Sequence, residues 1–487
     1  MTIERHQQVA RVEPGIEGLE HITHGGLPRG RVTLVAGTAG SGKTVMATQF
    51  LAGGTERGDP GVFVTFEERP EAIRENFRSF GWDIPERERE GLWSFVDASP
   101  RLDQESPVLG DYDLSPLVVR VRHAVEQIGA RRVAIDSIGA LIEQFNDVGA
   151  ARRALLQLGS ELQSLGVTTM MTAERADDYG PVSRFGFEEF LADSVVILRN
   201  ALEVEKRRRT IEVLKMRGGS HLRGEHLFTL LADRGAVVLP QEGVSFGFPS
   251  SRTRLTSGNA ELDRMCGGGL LDRSLVLVSG PTGTGKSLLA AQFVAGGIGN
   301  GERAILFSFE ESRDQLARNA AACGLDFDRL EAEGRLRIHA KAPESKSLED
   351  HLLEMQAALA DFEPERVAID SITALQRVAT AKSFREYLLA LSFSVKSRAL
   401  LGLLTATSES LAGALGSGAL HVSTVSDTVI ILQYLGANDR IARGITVLKM
   451  RGSDHEKAIR EFHIDDRGMH IGGALSLHAW STLPQVF

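Results

Sequence analysis

A long internal repeat constrains this 487-residue chain more than any other feature. Residues 37–44 (GTAGSGKT) return as residues 280–287 (GPTGTGKS), so Lys43 and Lys286 are 243 residues apart. The hexapeptide at 213–218 returns unchanged at 447–452, which is only 234 residues later. The first copy therefore has nine extra residues between the two motifs, and a surface loop accommodates such an insertion most easily.

The boundary between the copies is predicted in a segment that is rich in Gly, Pro and Ser and lacks a sustained period. We expect a first domain at residues 1–240, a linker at 241–255 and a second domain at 256–487. Each domain is long enough to form a single hydrophobic core.

Each copy alternates between short β-rich runs and helical stretches. Residues 31–36 and 61–66 are typical of buried strands, and residues 150–156 are typical of a helix. The first copy closes with a hairpin-like pair of strands at 194–198 and 210–214. This pattern predicts an α/β fold with two tandem domains, each having a mostly parallel sheet flanked by helices.

Composition excludes several classes of protein. The hydrophobic content of 42% excludes a mostly disordered chain, and no run approaches the ~18 apolar residues of a membrane-spanning helix. Two cysteines are too few for a disulfide framework, and residues 1–8 lack the apolar stretch of a secretory signal. We therefore expect a cytoplasmic protein with no membrane partner.

The net charge of −9 argues against nucleic acid as a main partner, because phosphate contacts usually require a basic surface. One basic run exists, at residues 206–209 (KRRR). We interpret it as a solvated turn between two strands rather than a nucleic-acid patch.

The repeated octapeptides fit the P-loop pattern G-x-x-x-x-G-K-[ST], so the two domains are predicted to be P-loop NTPase domains. Its glycines let backbone N–H groups surround a polyphosphate, its lysine reaches the terminal phosphates, and its Thr or Ser hydroxyl ligates Mg²⁺. Two matches in register predict two sites for ATP and Mg²⁺. The predicted nucleotide-binding residues are Thr38, Ala39, Gly40, Ser41, Gly42, Lys43 and Thr44, and Thr282, Gly283, Thr284, Gly285, Lys286 and Ser287.

Acidic residues follow β-rich runs at matching places in both copies: Glu67, Glu68 and Asp136, and Glu310, Glu311 and Asp370. The aspartates are predicted to hold Mg²⁺ beside Thr44 and Ser287, although an isolated Asp there would more often cap a helix. One glutamate of each pair could orient or deprotonate a water or a hydroxyl. A solvated strand end is the alternative for the glutamate pairs.

The repeated Lys-Met-Arg supplies further cations: Lys215 and Arg217, and Lys449 and Arg451. The P-loop lysine already serves the phosphates of its own site. A second cationic pair therefore suggests fingers supplied by a neighbouring subunit to stabilise the transferring phosphoryl group. The alternative is a charged edge strand that suppresses aggregation.

With these motifs, the chain resembles the KaiC family, the double-domain RecA-like ATPases and autokinases of bacterial clocks, over residues 12–475. Especially specific are residues 61–68 (GVFVTFEE), 421–428 (HVSTVSDT) and 458–462 (AIREF). The resemblance implies a homohexameric double ring with ATP between subunits. The first domain would be an ATPase in which Glu67 activates water.

The resemblance implies that the second domain is a serine/threonine autokinase and autophosphatase. Glu310 would be its base and would also lie near the metal, and Ser423 and Thr424 would be its phosphoacceptors. The internal repeat offers a separate check, because residues 234 positions earlier are Glu189 and Phe190. We therefore expect only the second domain to phosphorylate itself.

The resemblance adds further nucleotide contacts. They are Ser79, Lys215, Met216, Arg217, His221 and Asp233 in the first domain, and Arg443, Lys449, Met450, Arg451, Ser453, His455 and Lys457 in the second. Arg377 and Arg385 resemble residues near the phosphorylation region.

Three departures from the family pattern affect expectations. Gly418 replaces a threonine that often precedes the acceptors, and Cys323 replaces a tryptophan beside the adenine. The chain ends at Phe487, about where a regulatory tail would continue, so we do not expect control by KaiA. Binding of KaiB to the first domain through residues 104–117 stays a prediction.

Two other functions are compatible with the motifs. A RecA-type nucleic-acid motor shares the core and the fingers, but it usually needs a basic groove with aromatic side chains, and only 6% of this chain is aromatic. An ATP-assembled signalling scaffold without kinase activity would need no catalytic glutamates.

Overall fold

The computed structural model describes residues 9–99, 114–203, 206–239, 251–408, 422–437 and 440–475. It separates into two compact units, Met1–Gln241 and Glu242–Phe487. Among the residues described, no helix is long and apolar enough to cross a membrane.

The first unit alternates strands and helices along the chain. Its strands are β1 (Arg11–Val12), β2 (Leu27–Pro28), β3 (Val32–Gly37), β4 (Gly61–Thr65), β5 (Trp93–Asp97), β6 (Arg132–Asp136), β7 (Thr168–Glu174), β8 (Ser194–Glu203), β9 (Lys206–Met216), β10 (Glu225–Leu231) and β11 (Gly235–Leu239). Its helices are α1 (Leu19–Ile22), α2 (Lys43–Thr55), α3 (Pro70–Asn76), α4 (Ile84–Arg89), α5 (Ser115–Ile128), α6 (Ile138–Ile142), α7 (Val148–Ser164) and α8 (Glu188–Leu191), with a 3-10 helix at Arg78–Phe80.

The second unit repeats this order. Its strands are β12 (Arg254–Leu255), β13 (Leu270–Leu271), β14 (Leu275–Gly280), β15 (Ala304–Ser308), β16 (Leu336–Ala340), β17 (Arg366–Asp370), β18 (Leu401–Thr407), β19 (Thr428–Ala437), β20 (Arg440–Met450), β21 (Arg460–Asp465) and β22 (Gly468–Ala474). Its helices are α9 (Ala260–Met265), α10 (Lys286–Gly299), α11 (Arg313–Ala321), α12 (Phe327–Ala332), α13 (Leu348–Phe362), α14 (Ile372–Gln376) and α15 (Ala381–Ser397), with a 3-10 helix at Pro343–Ser345. Residues 422–425 are also helical.

Each unit contains a nine-stranded sheet. The order is β11-β10-β9-β8-β3-β7-β6-β4-β5 in the first and β16-β15-β17-β18-β14-β19-β20-β21-β22 in the second. The six strands from β8 to β5 are parallel, whereas β9, β10 and β11 add in antiparallel fashion. This confirms the predicted fold of tandem, mostly parallel RecA-like domains.

The central strands are buried along nearly their whole length because helices cover both faces of the sheet. In β3, Leu34 joins the core under α5 and α7, and Val35 joins the core under α2 with Met46 and Phe50. The carboxyl ends of these parallel strands meet at one edge of the sheet, which is where the P-loop lies.

The predicted turn at residues 206–209 is wrong, because these residues form the start of β9. Arg208 is only 6% exposed and pairs with Glu203 across the hairpin at 3.3 Å. Farther along, Arg199 of β8 pairs with Glu212 of β9 at 2.6 Å. Cross-strand ion pairs of this kind let a charged run continue the ladder instead of forming a turn.

Candidate functional site

The P-loop of the first unit connects β3 to α2. Gly40 and Gly42 have left-handed backbones, with φ of 71° and 101°, and glycine adopts these without strain. Within the described ranges, no side chain caps the start of α2, so its first N–H groups are available to an acceptor. Gly285 has the same φ of 101° at the start of α10. Both loops are thus built as anion cradles.

The P-loop lysines lie within these cradles. Lys43 Nζ donates to the carbonyl oxygens of Gly37 and Thr38, both at 3.1 Å. Lys286 Nζ does the same to Gly280 and Pro281 at 2.9 Å. Burial lowers the pKa of both lysines, while nearby carboxylates oppose the shift. An ammonium group held there would neutralise part of the negative charge of a polyphosphate, so the residues present fit ATP.

Asp136 ends β6 beside the P-loop, as predicted. It accepts hydrogen bonds from Thr172 and from the P-loop residue Thr44, and burial raises the pKa of its carboxyl group. In the second unit, Thr405 bonds Asp370 in the same way. A hydroxyl next to a carboxylate supplies the oxygen ligands that Mg²⁺ prefers, with phosphate and water completing the shell. The residues present therefore fit Mg²⁺.

The two glutamates of each pair have different surroundings. Asn76 Nδ2 binds Glu68 at 3.0 Å, and Asn319 Nδ2 binds Glu311 at 2.9 Å. Burial also raises the pKa of Glu311. The second glutamate of each pair thus has the same kind of amide partner in both units.

The first glutamate of each pair is the better candidate for a base. Ser137 Oγ donates to Glu67, and both residues lie at the carboxyl edge with Asp136. In the second unit, Arg377 Nη2 donates instead to Glu310 at 3.2 Å. Arg385 lies exposed on α15.

The Lys-Met-Arg residues do not lie at the P-loop of their own unit. Lys215 pairs with Val195 of β8, and Val195 pairs with Leu34, three residues before Gly37 at the end of β3. That places Lys215 about 10 Å short of the P-loop along the strand. Lys449 has the same register in the second unit. Met216 and Met450 end their strands, so Arg217 and Arg451 lie just beyond them, farther from the P-loop.

Lys215 and Lys449 instead each hold a short segment of their own unit. Lys449 Nζ donates to the carbonyl oxygens of Ser423 and Ser426, both at 2.9 Å, and Arg451 Nη2 donates to that of Thr424 at 3.1 Å. Ser423 is half-buried and Thr424 is exposed.

The first unit repeats this arrangement without hydroxyls. Lys215 Nζ donates to the carbonyl oxygens of Glu189 and Ala192 at 3.1 and 2.8 Å. Ser183 Oγ binds the Glu189 carboxylate at 2.6 Å, and Phe190 is exposed. The two segments therefore occupy the same place in the fold.

The remaining predicted contacts divide between the two ends of the sheet. Asp233 lies in the turn after Leu230, which contacts the P-loop, and Arg443 pairs across the ladder with Tyr434, whose hydroxyl donates to Thr282. Ser79 is exposed on a 3-10 helix near the carboxyl edge. The loops after β9 and β20, at the opposite end, contain His221, Ser453, His455 and Lys457.

Of the remaining positions singled out in the sequence, the structure describes Cys323 but not the others. Cys323 is half-buried, and burial raises the pKa of its thiol. Gly418 and residues 104–113 lie outside the part of the chain that the structure describes.

Sequence reasoning missed several supporting residues. They are Asn76 and Asn319 beside the second glutamates, Thr172 and Thr405 beside the aspartates, and Arg11 and Arg254 beside the loops that follow β9 and β20. Asn76 and Arg11 recur 243 residues later, which is the spacing of the P-loops. The repeat could therefore have revealed them.

Comparison with known proteins agrees with this geometry. The family model "ATPase: KaiC" matches twice, at residues 12–243 and 255–476. The chain is 51% identical to circadian clock protein KaiC3 of Synechocystis sp. over 95% of this chain and 92% of the relative. It is 47% identical to circadian clock oscillator protein KaiC of Synechococcus elongatus, over 96% and 90% of the two chains. The chain therefore belongs to the KaiC family of circadian clock proteins and carries two ATPase domains of this type.

Proposed function

We propose that this protein is a timing ATPase and autokinase. Its first unit hydrolyses Mg·ATP, and its second unit transfers the γ-phosphoryl group of ATP to its own serine and threonine and also removes it. One observation carries the proposal. The same cationic strand end holds Ser423 and Thr424 in the second unit but Glu189 and Phe190 in the first.

The division of the site between two ends of each sheet supports a shared nucleotide site. Lys449 and Arg451 lie away from their own P-loop, so a ring in which each subunit presents them to its neighbour's ATP brings the halves together. We propose a homohexamer with nucleotide at the subunit interfaces. Heterologous contacts of this kind close into rings.

The chemistry follows from these positions. The P-loop N–H groups and Lys286 bind the phosphates, and Ser287 and Asp370 would hold Mg²⁺, which neutralises charge on the β- and γ-phosphates when bound. Glu310 takes the proton of the acceptor hydroxyl. The hydroxyl oxygen bonds to the γ-phosphorus while the bond to the β-phosphate oxygen breaks, and ADP leaves. In the first unit, Glu67 orients water instead, and phosphate is released.

A protein of the KaiB type is the partner that we propose for the first unit. The proposal rests on membership of the KaiC family. The predicted contact region is residues 104–117, of which only Leu114 to Leu117 lie in the described part, at the start of α5.

Phosphate mapping tests the proposal. Purified protein is incubated with Mg·ATP, and intact mass and modified peptides are measured over time. We expect phosphate on Ser423 or Thr424 and none after the double change S423A/T424A. Phosphate within residues 185–193 would contradict the proposal. Steady hydrolysis without phosphate on the chain would support a scaffold instead.

A further inference from the structure

An arginine of the N-terminal hairpin lies beneath the finger loop of the first unit, here defined as residues 217–223. Arg11 Nη1 donates to the carbonyl oxygens of Thr23 and Gly26 at 2.9 and 2.8 Å, and it contacts Met216 Sδ at 2.8 Å. Its other terminal nitrogen lies so close to Gly219 that a Cβ there would overlap it, at 1.7 Å.

The second unit repeats this contact with one addition. Arg254 of β12 donates through Nη1 to the carbonyl oxygens of Cys266 and Gly269, the latter at 2.7 Å. These residues correspond to Thr23 and Gly26, 243 positions earlier. Arg254 Nη2 also donates to the hydroxyl of Ser453, in the second finger loop, residues 451–457.

A backbone bond reinforces each junction. Leu222 N donates to the carbonyl oxygen of Ile22, and Glu456 N donates to that of Met265, both at 2.8 Å. Each finger loop is therefore joined to the N-terminal segment of its own unit by one main-chain bond. Arg254 adds a side-chain bond to Ser453 of its loop, whereas Arg11 packs against Gly219 of its loop. Arg11 is half-buried, and burial lowers the pKa of its guanidinium.

We propose that Arg11 and Arg254 are positioning residues that hold the finger loops in the shape needed to contact the nucleotide of the neighbouring subunit. This rests on the proposed function, because it takes the loops to act across an interface. A loop held in its bound shape loses less entropy when the nucleotide arrives. The planar fork of arginine suits two carbonyls and a hydroxyl at once, which lysine cannot match.

Replacing Arg254 tests the role in the second unit. We expect R254A to raise the ATP concentration for half-maximal phosphorylation of Ser423 and Thr424 about tenfold, and R254K to give an intermediate rise. The matched control is R264A, because Arg264 lies on α9 of the same segment and pairs on the surface with Glu261. We expect R264A to behave as wild type. An unchanged ATP dependence in R254A would overturn the proposal.

Mixed rings separate positioning from a general structural role. R254A impairs the loop but leaves the P-loop intact, whereas K286A does the reverse. Combining the two chains recreates intact interfaces, about one in four in a random ring. At an ATP concentration well below the half-maximal value of R254A, where that variant alone is slow, phosphorylation should therefore recover to about a quarter of the wild-type rate. R254A combined with K449A should show no recovery, since both changes affect the same side of the interface. If R254A alone does not fold, R254K takes its place in these mixtures.

The mixture of K449A with K286A tests the shared site itself. Recovery in that mixture but not with R254A would overturn the role of Arg254 and leave the proposed function standing. No recovery in either mixture would overturn the shared site and this proposal with it. Recovery in both mixtures is the result that we expect.

Discussion

The two units share a sheet order, a P-loop and an acidic edge, yet they differ where phosphate would be received. Lys215 holds a segment with Glu189, and Lys449 holds the equivalent segment with Ser423. A carboxylate cannot accept a stable phosphate, whereas a hydroxyl can. The comparison teaches that two units with the same nucleotide-binding frame differ mainly in one short segment, and under the proposed function that segment decides whether phosphate goes to water or to protein.

The second difference lies at the candidate base. Glu67 accepts a hydrogen bond from the neutral Ser137 hydroxyl, whereas Glu310 accepts one from the cationic Arg377. Arg377 is largely exposed, so solvent weakens this pair. The position equivalent to Arg377 is Glu143, which pairs with Arg184. The candidate base thus has a neutral hydrogen-bond donor in the first unit and a cationic one in the second.

The largest expected effect comes from removing a P-loop cation. We expect K286M to slow phosphorylation of Ser423 and Thr424 by about 10²–10³-fold, because the ammonium no longer stabilises the transferring phosphoryl group. Intact mass against time gives the rate. K43M is the matched control and should instead reduce released phosphate. Equal loss of phosphorylation in both variants would show that the units are not separable.

Replacing a buried arginine should destabilise the second unit more than the first. Arg366 is fully buried, pairs with Glu302 and donates to the carbonyl oxygen of Phe293. We expect R366M to destabilise the second unit by about 3–5 kcal/mol, because it leaves Glu302 without its partner. R132M should destabilise the first unit less, because the ion pair between Arg132 and Asp59 is longer, at 3.6 Å, and so holds its carboxylate more weakly. Amide hydrogen exchange in α10 and α2 measures the stability of the second and the first unit. A larger loss of protection in α2 upon R132M than in α10 upon R366M would contradict this prediction.

A smaller effect concerns Asp136 and pH. Burial raises the pKa of its carboxyl group. Ionisation of the buried group therefore lowers the free energy of unfolding at pH values above the raised pKa, and it has no effect below the ordinary pKa of an aspartate. We expect D136N to stabilise the metal-free protein by about 1 kcal/mol at pH 7 while it lowers hydrolysis. The gain should shrink as the pH falls. Urea denaturation at pH 7 and pH 5 tests this, and a gain that grows at pH 5 would contradict it.

The smallest expected effect is a gain of phosphate in the first unit. Grafting the acceptors as E189S/F190T places hydroxyls beside Lys215, so peptide mapping should detect slight phosphorylation there. We expect the extent of phosphorylation to stay well below that at Ser423 and Thr424, because the base of the first unit bonds Ser137, whereas that of the second bonds Arg377. Its complete absence would mean that the acceptor segment is not what separates the units. E189A/F190A serves as the control, since it removes the same native side chains without adding a hydroxyl.

Much of this architecture could be predicted because it depends on local pattern. The apolar strand at 31–36 and the repeated P-loops determine the sheet and its functional edge. The prediction of a turn at 206–209 was wrong because the charges of this run are neutralised by residues of the neighbouring strand, such as Glu203, and strand pairing cannot be derived from the run itself. The contacts of Lys449 with the acceptor segment depend on a register set by the whole sheet. Arg11 and Arg254 were predictable in principle from the repeat, but their carbonyl partners were not.

The partition of phosphate tests the central claim most directly. E67Q and E310Q are each incubated with Mg·ATP labelled at the γ-phosphate, and released and protein-bound label are counted. A lost base should slow its own reaction about 10²–10⁴-fold. We predict that E67Q loses most released phosphate but keeps bound label on Ser423 and Thr424, and that E310Q does the reverse. Parallel loss of both signals in either variant would contradict the division of labour between the two units.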